Sequence, residues 1–247
     1  MATAKDLNTI HGWTAVARDP KVVLSGKDYL HAPSSVLVQD IAFPGDDPLV
    51  ARVQAYAQSR LAPQTYNHSM RVYHFASAIL QQQFPAQAAT LSRATLAITA
   101  LLHDIGTTHD HLRATRLSFE FYGGYLALDL VGKQLQPPGP HAQAQAEAVA
   151  EAIVRHQDLG TTGTITFLGQ LIQLATIYDN MGGNPGLVHA DTKVDVNKQF
   201  PRNGWSACFS KTIREENALK PWAHTTALGE EAFPEGVLHN KLMAEFD

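Results

Sequence analysis

Residues 94–102 read ATLAITALL, and the next two positions are His103 and Asp104. A helix that is apolar on nearly every side has no face to give to water, so other elements must enclose it. The rest of the chain supplies them. Apolar residues recur at helical spacing over about 48–61, 65–82, 86–105, 112–132, 141–157, 166–181 and 208–219. Breaks fall at Pro63, Pro85, Gly106, the run Pro137 to Pro140, Gly160 and Gly182-Gly183. Gly106 reads as the stop of the buried helix. Asp47 can cap the first of these helices, with Pro48 suited to its first turn. Before that point Asp19-Pro20, Ala32-Pro33 and Phe43-Pro44 keep the chain irregular. After Lys220 turn residues return. The expected fold is all-α: one helical domain over residues 1–247, its core within about 48–182, with irregular N- and C-terminal arms.

His103-Asp104 is one of two such pairs; the other is His109-Asp110 in the polar stretch TTHDHLR. Solvent can satisfy His109, Asp110 and His111, which read as a hydrated loop or helix start. The first pair has no such freedom. A buried carboxylate beside an imidazole is costly unless a partner balances it, and a metal ion is one such partner. Three other helices carry polar residues on apolar faces. His68 shares a stripe with Val72, Phe75 and Ile79; Asp179 follows Ala175, Ile172 and Leu168; His156 follows Ile153 and Val149. Taken singly, each is more often a satisfied core residue. Taken together, they are explained economically by convergence on a cation. His68, His103, Asp104 and Asp179 make a set of two nitrogens and two oxygens. That set suits Zn²⁺, with Fe²⁺, Mn²⁺ or Co²⁺ as alternatives, and leaves room for water.

Composition removes several competing functions. The net charge is −4 with no block of Lys and Arg, which argues against nucleic acid as a partner. The single cysteine, Cys208, allows neither an intrachain disulfide framework nor a thiolate metal cluster. No apolar run reaches membrane-spanning length and no signal-peptide layout opens the chain, so a soluble cytoplasmic protein is expected.

The arrangement H…HD…D, carried by His68 in YNHSMRV, His103-Asp104 in LLHDIG and Asp179 in ATIYDN, resembles the HD-domain superfamily of metal-dependent hydrolases. The longer strings LLHDIGTT, RLSFEFYGG, RHQDLGTTGTITFLGQLIQLATIYDN and KPWAHTT resemble the fungal cyanamide hydratases within it. That resemblance implies a zinc-dependent hydro-lyase that adds water to the nitrile of cyanamide to give urea, in a homo-oligomer. On it, Asp104 would hold the nucleophilic water and His156 would donate a proton to the nitrile nitrogen. His156 could instead support the ligands or join them. Thr176 and Thr107 would contact substrate, although a threonine like Thr176 more often bonds its own helix. Many HD phosphohydrolases carry Lys where this chain has Thr107. A neutral hydroxyl there weakens the alternative reading as a nucleotide or phosphate-ester phosphohydrolase. Arg71, Arg113, Arg116 or Arg155 could still reach an anion. Glu120 reads as solvated, Gly123-Gly124 as a place of close helix packing, and Phe119, Phe121, Tyr122 and Tyr125 as core.

Overall fold

A computed structural model describes residues 3–247. Its helices are α1 (Ala4–Ile10), α2 (Pro20–Val23), α3 (Pro48–Arg60), α4 (Pro63–Gln83), α5 (Pro85–Ala88), α6 (Arg93–Leu102), α7 (His109–Ala114), α8 (Phe119–Asp129), α9 (Pro140–Arg155), α10 (Phe167–Met181), α11 (Ala190–Gln199), α12 (Trp205–Leu219) and α13 (Ala232–Leu238). The strands β1 (Ala15–Ala17) and β2 (Thr164–Thr166) pair antiparallel, Ala15 opposite Thr166, and tie the N-terminal arm to the start of α10. The fold is all-α apart from this small ribbon.

Local chemistry sets the helix ends. The Asp47 side chain accepts from the N–H groups of Leu49 and Val50, and Pro48 opens α3. Pro63 and Pro140, which read as breaks, are first-turn residues of α4 and α9. The stretch expected as one helix over 86–105 is two helices, because the Ser92 hydroxyl accepts from Thr95 N–H and starts α6 afresh. The stretch expected over 112–132 is likewise interrupted. α7 ends at Ala114, α8 begins at Phe119, and a five-residue π-helical turn, Leu130–Gln134, follows α8.

α6 lies where the sequence requires it, packed against α3, α4 and α9, with every residue from Thr95 to Leu102 buried. Helix α4 also packs on α10, α11 and α12, and α8 lies along α9. One apolar cluster runs through these helices from Leu24 to Met243. A second, smaller cluster of Trp205, Phe209, Ile213, Phe233 and Val237 joins α12 to α13. Two glycines explain how closely the helices approach. A Cβ on Gly106 would sit 2.1 Å from the Phe119 carbonyl oxygen, so only glycine lets the turn after α6 touch the start of α8. A Cβ on Gly124 would sit 2.5 Å from Val154 Cγ2, which accounts for the tight α8–α9 pair.

Candidate metal centre

The α6 helix ends at Leu102, and the chain turns through His103 and Asp104 into a 3₁₀ segment, Ile105–Thr107. Helix α4 passes beside this turn and brings His68. Helix α9 ends at Arg155, and His156 caps it on the facing side. Helix α10 carries Asp179. All five side chains are at most 1% exposed.

The hydrogen bonds fix the imidazole tautomers. His103 Nδ1 lies 2.8 Å from the Ala100 carbonyl oxygen and His156 Nδ1 lies 2.7 Å from that of Ile153. A carbonyl oxygen can only accept, so in both rings Nδ1 carries the hydrogen and Nε2 presents a lone pair. His68 Nδ1 lies 2.6 Å from Asp179 Oδ2, which gives the same tautomer. Three bare Nε2 atoms therefore point inward. His68 Nε2 and His103 Nε2 face each other at 3.1 Å. Asp104 Oδ2 lies 3.3 Å from His103 Nε2 and 3.6 Å from His68 Nε2, and Asp104 Oδ1 lies 3.6 Å from His156 Nε2. Neither Asp104 oxygen nor His156 Nε2 has a hydrogen-bond partner.

With all three imidazoles neutral, this is a buried nest of lone pairs with no donor among them, an arrangement that a cation relieves. The spacing fits one. Ligands about 2.0–2.1 Å from a tetrahedral ion stand roughly 3.3–3.4 Å apart, close to the observed separations. His68, His103 and Asp104 form the one cluster of ion-holding geometry found among the described residues.

The electrostatics make the same demand. Burial pushes the His68 pKa down to about 4, against the pull of Asp179. Burial works the same way on His103, yet the negative charge of Asp104, 3.3 Å from its Nε2, outweighs it and raises the value. The Asp104 carboxyl is disfavoured as an anion by burial, but the surrounding imidazoles hold it well below the usual carboxylate range. With Asp104 held as an anion among imidazoles, the centre draws positive charge inward: a proton on His103 where no ion is bound, a cation where one is.

Asp179 lies on the outer side of His68. Besides His68 Nδ1, its carboxylate accepts from Arg71 Nε and Nη2 at 2.9 Å and from Arg202 Nη1 at 2.9 Å. Both arginines are fully buried. Burial opposes its ionisation, but these two guanidinium groups overcome that and lower its pKa. The two arginines and Trp205 are the residues that the sequence reading missed in this role. Trp205 stacks on the His68 ring at 4.3 Å and donates from Nε1 to Asn180 Oδ1 at 2.8 Å, which fixes the plane of His68. Arg202 precedes α12 in a stretch without helical period, and nothing in its spacing marks it.

The Thr107 hydroxyl donates to the Asp104 carbonyl oxygen at 2.7 Å. The Thr176 hydroxyl donates to Ile172 O at 3.0 Å and Gln173 O at 3.1 Å, on its own helix. His109 and Asp110 are solvent-exposed, as the polar stretch around them implies. Glu120 differs from expectation. It is fully buried, because Thr225 Oγ1 donates to it at 2.9 Å and His224 Nδ1 lies 3.5 Å away, so the KPWAHTT segment closes over RLSFEFYGG. Phe121 and Tyr125 also differ: they are 37% and 62% exposed, on the outer face of α8. Of the arginines that could serve an anion, Arg71 is held by Asp179, Arg113 by Glu215, and Arg155 by Asp158, while Arg116 is exposed with no acid partner among the described residues.

Residues 65–181 match the family model described as HD domain. Two curated relatives from Saccharomyces cerevisiae, cyanamide hydratase DDI2 and cyanamide hydratase DDI3, are each 47% identical over 179 residues, covering 72% of this chain and 77% of theirs.

Proposed function

The chain belongs to the HD-domain family, and from that premise we propose that it is a cyanamide hydratase. Water's oxygen joins the nitrile carbon, both of its protons finish on nitrogen, and urea leaves. The observation that carries this reading is the donor-free nest of His68, His103 and Asp104, together with the likeness to two cyanamide hydratases.

His68 and His103 would hold the ion through Nε2 and Asp104 through a carboxylate oxygen. Two imidazoles and a carboxylate suit a borderline divalent ion, Zn²⁺ first, with Fe²⁺, Mn²⁺ or Co²⁺ able to substitute. Such an ion supplies acidified water, lowering its pKa from about 15.7 to about 7. The protein's own groups do the rest. Asp104 has a second oxygen free to orient the water and accept its hydrogen bond. His156 Nε2, bare and 3.6 Å from Asp104 Oδ1, is set to receive a proton there and return it to the nitrile nitrogen. The hydroxyl hydrogens of Thr107 and Thr176 are already donated to backbone carbonyls, so each threonine can only accept, which matches the amino group of cyanamide. Asp179, expected from the sequence pattern as a fourth ligand, accepts from His68 Nδ1, and we read it as steadying that ring from behind. Direct ligation would require its carboxylate to leave His68 and a buried arginine.

Neutrality of the site supports a small uncharged substrate over the phosphohydrolase alternative. Thr107 stands where a phosphate-binding Lys would be needed, and of the four arginines in question only Arg116, exposed at the surface, has no acid partner among the described residues. We further read the protein as a cytoplasmic homo-oligomer; no helix among the described residues is long and apolar enough to cross a membrane. The direct test offers the metal-replete protein cyanamide and a panel of nucleotides in parallel. Urea from cyanamide with the nucleotides untouched is the expected result. Phosphate release without urea would transfer the protein to the alternative.

A further inference from the structure

The metal residues are sealed from solvent, yet substrate must reach them. The end of the turn after α6 lines one cavity of about 310 Å³, whose walls include Thr65, Thr107, Thr108, Cys208, Phe209 and Thr212. Three of these are one contact or one helical turn from the metal residues. The Phe209 ring stands 6.3 Å from the His68 ring at 26° and stacks on Trp205, itself stacked on His68. Thr107 donates to the Asp104 carbonyl oxygen. Thr65 precedes His68 by three residues on α4, with its side chain on nearly the same face. The groove between α8 and α9, lined by Trp13 and Tyr125, includes none of the metal residues and none of the residues bonded to them.

The lining also selects by chemistry. Four threonines, Thr65, Thr107, Thr108 and Thr212, lie in its wall. Its acid, Glu215, pairs with Arg113, and Arg60, an exposed cation, lies over the Tyr56 ring. A wall of this kind suits a small hydrogen-bonding molecule. Phe209, 1% exposed, is the thin wall between the cavity and His68.

We propose that this cavity is the entrance through which a small neutral substrate reaches the metal residues, with Phe209 as its gate. The chemical class of the substrate rests on the hydratase reading; the route to the metal does not. The sole cysteine, Cys208, is half-buried in the cavity wall and gives a handle. Burial raises its thiol pKa, so labelling is done above neutral pH. N-ethylmaleimide adds the thiol across its double bond and leaves a bulky thioether at Sγ. Two quantities are then measured on fully labelled, metal-loaded protein: the rate of urea release, and the rate at which a chelator removes the ion.

The expected result is at least a tenfold loss in kcat/KM, and metal loss slowed several-fold with starting metal content unchanged. The C208S protein, treated with the same reagent, should keep the rates it had before treatment. A second variant, Thr212→Trp, fills the cavity without the reagent and should reproduce both effects. Labelled protein and T212W that turn over and release metal at unmodified rates would overturn the proposal. If unmodified protein makes no urea, the hydratase reading fails, and the chelator measurement still decides the route.

Discussion

At the scale of single residues, the proposed centre divides side chains that would meet the ion from side chains that would aim them. His103 has no outer partner beyond its own helix carbonyl, so it acts only through Nε2. The expected outcome for His103→Ala is loss of both metal content and turnover, read by elemental analysis and urea assay; full metal occupancy would show that its role is misassigned. Asp179 makes a different prediction. On the reading that it steadies His68 from behind, its removal should weaken metal binding about 10–100-fold, as is typical of such partners. Asp179→Asn should therefore bind the ion weakly but measurably in a competitive titration. Complete loss would mean that Asp179 itself ligates. Its loss also strands Arg71 and Arg202 in the interior. Metal-free Asp179→Ala should be less stable by about 3–5 kcal/mol in urea denaturation, because unpaired buried charges are left behind. His68, His103 and Asp104 were legible in the sequence because each is polar on a face that periodicity marks as buried. The surroundings of Asp179 were not. Arg202 reaches it from a loop, and the long-range pairing of a buried acid with a buried base leaves no trace in local spacing.

At the scale of elements, the turn between α6 and α8 depends on close approach and on one acid. Gly106→Ala would press a methyl group into the Phe119 carbonyl. The expected cost is about 1–3 kcal/mol in denaturation, with activity falling further than stability because Asp104 lies two residues away. The same junction is held by Glu216 of α12, whose Oε1 accepts from the Phe119 N–H at 2.7 Å. Burial, with Glu120 nearby, raises the Glu216 pKa from 4.5 to about 7. A carboxyl whose folded pKa lies above its unfolded one is a source of stability at low pH, lost as pH climbs from about 4.5 through about 7. Glu216→Gln keeps an acceptor for Phe119 and removes the titration. Denaturation of both proteins across that window should show the variant gaining on the native chain as pH rises, by an amount on the order of 3 kcal/mol. A difference independent of pH would refute the assignment. Helices α3, α4, α6, α9 and α10 were legible because their apolar faces repeat at helical spacing. α11, with the polar sequence ADTKVDVNKQ, and α13, with Pro234 and Gly236 inside it, were hidden because neither carries that pattern. β1 and β2 are three residues each, too short to show alternation.

At the scale of the whole molecule, the continuous cluster from Leu24 to Met243 and the tie between β1 and β2 argue for a single cooperative unit. One unfolding transition is expected by heat or denaturant. Bound ion should add about 2.7 kcal/mol at a free concentration one hundred times its Kd. Two separated transitions would divide the chain into independent parts. The outer face of α8, with Phe121 and Tyr125 exposed beside Trp13, is the apolar surface on which self-association would draw. Residue, element and molecule meet at the ion proposed for His68, His103 and Asp104. The most direct measurement follows metal content and urea release in a single preparation, through chelation and then Zn²⁺ addition. The two quantities should fall together and return together. Undiminished urea from protein stripped of metal would contradict the account at its centre.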